Sequence, residues 1–249
     1  MKAEHLQLSL RPRRAFEAVD LGVRMTQAAA PSLLRAYVPF ALLMAVACGS
    51  TLELAGWLPP LLLFWFRPWL ERGLLFIYAR QAFGERTTFA QAWTARAEAP
   101  WGPLLYSLTL GRISRWRPFL APVRQLEGQS GAARRRRAKQ LLNGQRGAVV
   151  GVSWAFALLE TALALGVLAA VCTLLPGVDL EDFRRLLFDS SYDTLNLDLL
   201  ATIAYGATLL FITPFHTAAG FAMYLNRRAD LEAWDVEQDL RAAFAGAAP

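Results

Sequence analysis

Hydrophobic residues in this chain gather into four long blocks, at 33–52, 57–78, 148–175 and 199–224, separated by segments in which charge is dense. A helix of about 20 apolar residues covers the hydrocarbon core of a bilayer, so each block is long enough to cross one. Tryptophan or tyrosine lies at several block ends, as expected where a helix meets the membrane–water interface. The pattern predicts an all-α, polytopic membrane helical bundle with four main spans in two hairpins, 32–78 and 148–224. A segment at 79–147 joins the hairpins, residues 1–31 precede them, and a tail at 225–249 follows. Composition points the same way: 55% of residues are hydrophobic and 18% charged, with mean hydropathy +0.29. Soluble domains carry about a quarter charged residues.

Shorter stretches carry their own periodicities. Residues 13–29 follow Arg-Pro and have Glu17 and Asp20 early, which suits a helix start. Phe16, Val19, Leu21 and Val23 make its apolar side, and Arg11, Arg13 and Arg14 sit beside it. This N-terminal helix is expected to lie along the inner leaflet. WGPLLYSLTL (101–110) is too short to span, and its Gly102 and Pro103 suit a re-entrant or an interface-lying element. In 226–245, Ala229, Ala233, Val236, Leu240 and Phe244 recur at spacings of three and four, which predicts an amphipathic helix. Its acidic residues are expected to dock on the basic 79–147 segment.

Charge sets the orientation. Segment 79–147 holds Arg80, Arg86, Arg96, Arg112, Arg115, Arg117, Arg124, Arg134, Arg135, Arg136, Arg137, Lys139 and Arg146 against Glu85, Glu98 and Glu127. The segment 176–198 is acidic, and 50–56 has no basic residue. Lys and Arg stay in the cytoplasm, so both termini are expected there. The N-terminus has no apolar stretch behind its early charges, so the first span should serve as its own uncleaved insertion signal. Arg112, Arg115, Arg117, Arg134, Arg135, Arg136 and Arg137 are the candidate contacts for anionic headgroups. Beside a membrane, the four-arginine run suits lipid or topological fixation rather than nucleic acid.

Two blocks carry charge where a bilayer tolerates it poorly. Arg67, Glu71 and Arg72 interrupt 57–78, and Glu160 is the one charged residue of 148–175. Such groups face a partner helix or a wet cavity. Arg67 and Glu71 are four apart on one helix face, so they can pair internally. Glu160 then has Arg67 or Arg72 as its partner across the bundle, at a similar depth. His216 and Pro214 occupy the inner half of the fourth span. Arg67, Glu71, Arg72, Glu160 and His216 are therefore the candidate site, open to three readings: structural ion pairs, an anion or lipid pocket, or a proton relay. Nothing in the chain matches a nucleophile elbow, a phosphate loop, a zinc-protease helix or a paired-cysteine motif. No catalytic residue, metal ligand or cofactor is thus expected, and Cys48 and Cys172 read as small buried residues.

Four stretches resemble a family of bacterial inner-membrane proteins without an assigned activity: LRPRRAFEAVDLGVR (10–24), FRPWLERGLLFIYARQAFGER (66–86), RPFLAPVRQLEGQSGAARRRR (117–137) and PFHTAAGFAMYLNRRADLEAWDVEQDLR (214–241). The family is more distantly similar to the membrane domain of some glycerophosphodiester phosphodiesterases, although no phosphodiesterase domain accompanies it here. Its genes tend to lie beside those of membrane-anchored transglutaminase-like proteins, and sometimes near MoxR-type ATPases. The resemblance implies a location in the bacterial inner membrane and a transglutaminase-like partner, and it draws attention to Gln125 and Glu127 without giving them roles. Taken together, the chain is expected to be a multi-spanning scaffold or accessory subunit of a cell-envelope complex that binds anionic lipid. The alternatives are a small-molecule, lipid or proton-coupled transporter, and an intramembrane enzyme acting on a lipid-linked substrate. The sequence sets no oligomeric state.

Overall fold

The longest helix, Leu195–Glu232, is the axis on which most of the other described helices pack. The computed structural model describes residues 14–97, 114–174, 184 and 195–232, and every regular element among them is helical. In chain order these are α1 (Ala15–Ala28), α2 (Ala30–Ala36), α3 (Val38–Gly49), α4 (Leu58–Ala82), α5 (Phe89–Ala97), α6 (Arg117–Gln125), α7 (Gly131–Leu142), α8 (Arg146–Leu174) and the axial α9 (Leu195–Glu232). α8 over Arg146–Val171 and α9 over Asp198–Glu232 are long and apolar enough to cross a membrane, and α2 with α3 makes a third candidate if the two limbs count as one span. α4 has the length, at 25 residues, but carries Arg67, Glu71 and Arg72.

The first apolar block is not one straight helix. It breaks at Tyr37, where α2 and α3 meet at 41°. Pro39 explains the break: it has no N–H for the carbonyl of Arg35, and its ring crowds the preceding turn. α4 opens with Pro59 in its first turn, where a missing N–H costs nothing, and tolerates Pro68 within. It ends at Gly84, whose φ of 77° lets the backbone turn so that the Phe83, Gly84 and Glu85 amides bond back to Arg80 and Gln81. Phe89 and Trp93 of α5 then stack on Phe40 of α3, which also meets Trp69 of α4 edge-on. The start of the basic segment is thereby docked against the first hairpin rather than left as a linker.

α1 packs along α9 mainly through its small residues. Phe16 is 78% exposed, and the buried positions are Ala18, Gly22, Met25 and Thr26. Small residues let two backbones approach closely. A Cβ on Gly22 would lie 2.7 Å from the backbone of Ala219, and one on Gly220 would lie 2.6 Å from Pro118 of α6. Thr26 donates to the Gly22 carbonyl and lies 3.3 Å from the Tyr78 hydroxyl, which donates to the Pro214 carbonyl. α1, α4 and α9 are thus pinned together at the proline of the axial helix.

α9 is longer than the fourth block. It runs without interruption through Pro214 and on to Glu232, so the first residues of the supposed separate tail helix belong to it. The rest of that helix lies outside the described residues, as do 101–110, the acidic 176–183 stretch and Arg112. By contrast, only 6% of the apolar stretch of α8 is buried within the protein. α8 therefore sits at the edge of the bundle.

Substituting Gly22 or Gly220 by alanine should lower the melting temperature of the full chain in lipid nanodiscs, by the equivalent of about 1–3 kcal/mol typical of overpacking. Gly151→Ala, at an open position of α8, should leave it unchanged. Equal melting of all three variants would show that the α1–α9 and α6–α9 contacts are not close.

Candidate functional site

Arg67 and Glu71 lie one helical turn apart on α4, and the helix presents both to the interior. Arg67 Nε is 3.1 Å from Glu71 Oε1, as the four-residue spacing anticipated. Across the bundle, Arg67 Nη1 donates to Oε2 of Glu160 on α8, so Glu160 takes Arg67 rather than Arg72 as its partner. The match in depth follows from helix rise: at about 1.5 Å per residue, Arg67 stands about 22 Å from the end of α4 at Ala82, and Glu160 about 21 Å from the start of α8 at Arg146.

Two further groups close the cluster. Arg117, at the head of α6, donates through Nη2 to Glu71 Oε1 at 2.8 Å. Arg67 Nη2 is 3.1 Å from Nδ1 of His216. A guanidinium can only donate, so Nδ1 accepts and the neutral ring carries its proton on Nε2. The imidazole also meets the Phe156 ring at 5.0 Å. Tyr205 of α9 approaches the other oxygen of Glu160 at 3.4 Å. The result is an alternating chain, Glu160–Arg67–Glu71–Arg117, in which two carboxylates balance two guanidiniums and four helices contribute a member or a neighbour. Arg67, Glu71 and Glu160 are all buried, with relative exposures of 5%, 8% and 9%.

Arg117 was grouped by sequence with the headgroup contacts; instead it reaches inward. Burial pushes its guanidinium below its ordinary value, and Glu71 pulls it back. No local spacing marked this, because the partner lies 46 positions away. Arg72 takes a different direction from its neighbour Glu71. Its carbonyl accepts from Gln125 at 2.8 Å, and its guanidinium lies near Arg124.

A second network forms at the far end of α9. Glu127, in the turn after α6, accepts from Arg137 Nε and Nη2 at 3.1 Å each and from the Tyr224 hydroxyl at 2.6 Å. Arg137 Nη2 also donates to Glu232, whose other oxygen accepts from Arg228 Nε at 2.8 Å. Burial lowers the affinity of Arg137 for its proton, but Glu127 and Glu232 together hold it above the ordinary guanidinium value. Arg137, expected at the headgroups, therefore bridges two carboxylates, and Glu127 gains a structural place that its sequence alone did not assign. Of the remaining headgroup candidates, Arg115, Arg135 and Arg136 are exposed, and Arg134 is half-buried. The Arg115 guanidinium lies over the Trp154 ring at 5.0 Å, and its carbonyl accepts from Ser153.

Among the described residues, no group of His, Cys, Asp and Glu is arranged to hold a metal ion. Cys48 is a free, buried thiol in α3. No family model, curated protein or solved structure matches this chain.

Glu160→Gln leaves a buried arginine with half its compensation, which costs about 3–5 kcal/mol for a buried pair. The variant should melt well below wild type. Adding Arg67→Met leaves Glu71 and Arg117 as a neutral pair, so the double variant should recover more than half of the loss. Thermal melts of both in nanodiscs check this, and a double variant no better than the single would break the proposed coupling.

Proposed function

We propose that this chain is a multi-spanning scaffold or accessory subunit of a cell-envelope complex in the bacterial inner membrane. The bent α2–α3 pair and α4 make one hairpin, α8 and α9 the other, giving four spans with both termini in the cytoplasm. The observation that carries this reading is the closed, charge-balanced chain from Glu160 to Arg117. Pairing of this kind offsets the cost of placing α4, with its charges, in a bilayer. It also ties the two hairpins and the basic segment into one body, which is what a docking platform needs. A transporter built on Arg67 and Glu160 would have to part them in each cycle.

The orientation rests on the Lys/Arg excess of 79–147 and of the N-terminal segment. Arg115, Arg135 and Arg136 then face anionic headgroups, with Trp116 and Trp154 at the interface, each cation contributing about 1 kcal/mol near the surface. A membrane-anchored transglutaminase-like protein is the partner favoured by the family resemblance.

Orientation is tested with Cys48 and Cys172 replaced by serine. A cysteine at Leu54, exposed in the turn before α4, should react with a membrane-impermeant maleimide added to intact spheroplasts. A cysteine at Arg136 should react only after permeabilisation, and the reverse pattern would discard the orientation. Tagged full-length chain extracted in native lipid should co-purify with one envelope protein in fixed ratio. Purification of the chain alone, with a substrate flux in proteoliposomes, would replace the scaffold reading with transport.

A further inference from the structure

The second network contains a carboxylate held as a ligand would be held. Glu232 offers one oxygen to Arg137 and the other to Arg228, from α7 and α9 respectively. Two guanidiniums converging on one pair of oxygens form the fork that recognises carboxylate and phosphate groups. The fork opens on a cavity of about 470 Å³ lined by Leu126, Glu127, Gln129, Arg137, Arg228 and Glu232. That is a volume in the range of small-molecule sites.

The two carboxylates of the cavity are not equivalent. Glu127 is 11% exposed and is fixed by two nitrogens of Arg137 and by the Tyr224 hydroxyl. Glu232 is 27% exposed and rests on the two guanidiniums of the fork. Glu127 is therefore part of the frame, whereas Glu232 occupies the place that faces the open volume. With Glu232 turned aside, the described lining of the cavity carries two guanidiniums, Arg137 and Arg228, and one carboxylate, Glu127. The helix that supplies Arg137 also carries Arg134, Arg135 and Arg136, which raises the local concentration of anions.

We infer that Arg137 and Arg228 form a binding site for the phosphate of a phosphate ester, and that Glu232 is its internal, displaceable competitor. A phosphate brings more oxygens and at least as much charge to the fork as the carboxylate it replaces. The ester is carried either by a soluble metabolite or by a lipid. Tyr224, which donates to Glu127 of the cavity wall, stands about 38 Å along α9 from the start of the fourth apolar block, beyond the ~30 Å hydrocarbon core. The cavity thus lies at or beneath the headgroup layer, within reach of both sources. This site is separate from the intramembrane charge chain and does not depend on the scaffold reading.

The test compares wild type, Glu232→Gln and Glu232→Gln with Arg228→Gln, each as the full chain in nanodiscs. Glycerol 3-phosphate is titrated into neutral phosphatidylcholine discs by calorimetry, and phosphatidic acid binding is read by native mass spectrometry from mixed discs. Glu232→Gln should bind at least one probe tenfold or more tightly than wild type, and the added Arg228→Gln should remove that gain. A gain with glycerol 3-phosphate assigns a soluble ester, and a gain with phosphatidic acid alone assigns a lipid. Glu232→Gln keeps both arginines and the Glu127 pair, so it carries the test by itself should the double variant fail to assemble. Affinity of Glu232→Gln within twofold of wild type for both probes, or a gain that survives Arg228→Gln in a folded double variant, would overturn the site.

Discussion

The alternating chain Glu160–Arg67–Glu71–Arg117 is the constraint around which the rest of the molecule is arranged. Each of these ions is costly to bury alone; Arg67, Glu71 and Glu160 are buried, and the Arg117 side chain keeps 13% of its exposure. Their mutual contact therefore specifies where α8 stands against α4, and where the head of α6 enters beneath them. α8 makes this plain. It is hardly covered by the protein, and among the described residues its polar contacts to other elements include Glu160 to Arg67 and Tyr205, and Ser153 to the Arg115 carbonyl. In a bilayer, where lipid is as apolar as the helix itself, such polar contacts and close packing are what hold a helix to its bundle.

Around α9 the opposite device operates. Gly22 and Gly220 bring α1 and α6 into backbone contact with the axis at positions where a methyl group would already clash. The Tyr78 hydroxyl, donating to the Pro214 carbonyl, adds one directional bond at the level where proline interrupts the axial ladder. Close approach and a few polar pins thus work beside large buried side chains such as Phe119, Phe221 and Tyr224.

At the C-terminal end of α9 the same economy of charge recurs with a different outcome. Glu127 is locked by three contacts, whereas Glu232 shares its arginines with an open cavity. One network has its ions enclosed and matched; the other leaves a matched set facing solvent-accessible volume. That difference separates a structural ion chain from a ligand site, although both are made of the same residue types.

Much of this was legible from local sums along the chain. Helix length, the apolar blocks, the Arg67–Glu71 spacing and the presence of a charge partner for Glu160 follow from residues within a turn or two, or from a single uncompensated ion. The break at Tyr37 has its local cause in Pro39, whose missing N–H interrupts an otherwise continuous apolar run. What only the tertiary structure decided is which distant groups meet. Glu160 and Arg67 are 93 residues apart, and Arg137 and Glu232 are 95 apart. Arg117 and Arg137 share the composition of their exposed neighbours Arg115 and Arg136, yet turn inward. Net charge along a sequence reports how many ions there are, but an ion pair depends on distance in three dimensions, which no count along the chain contains.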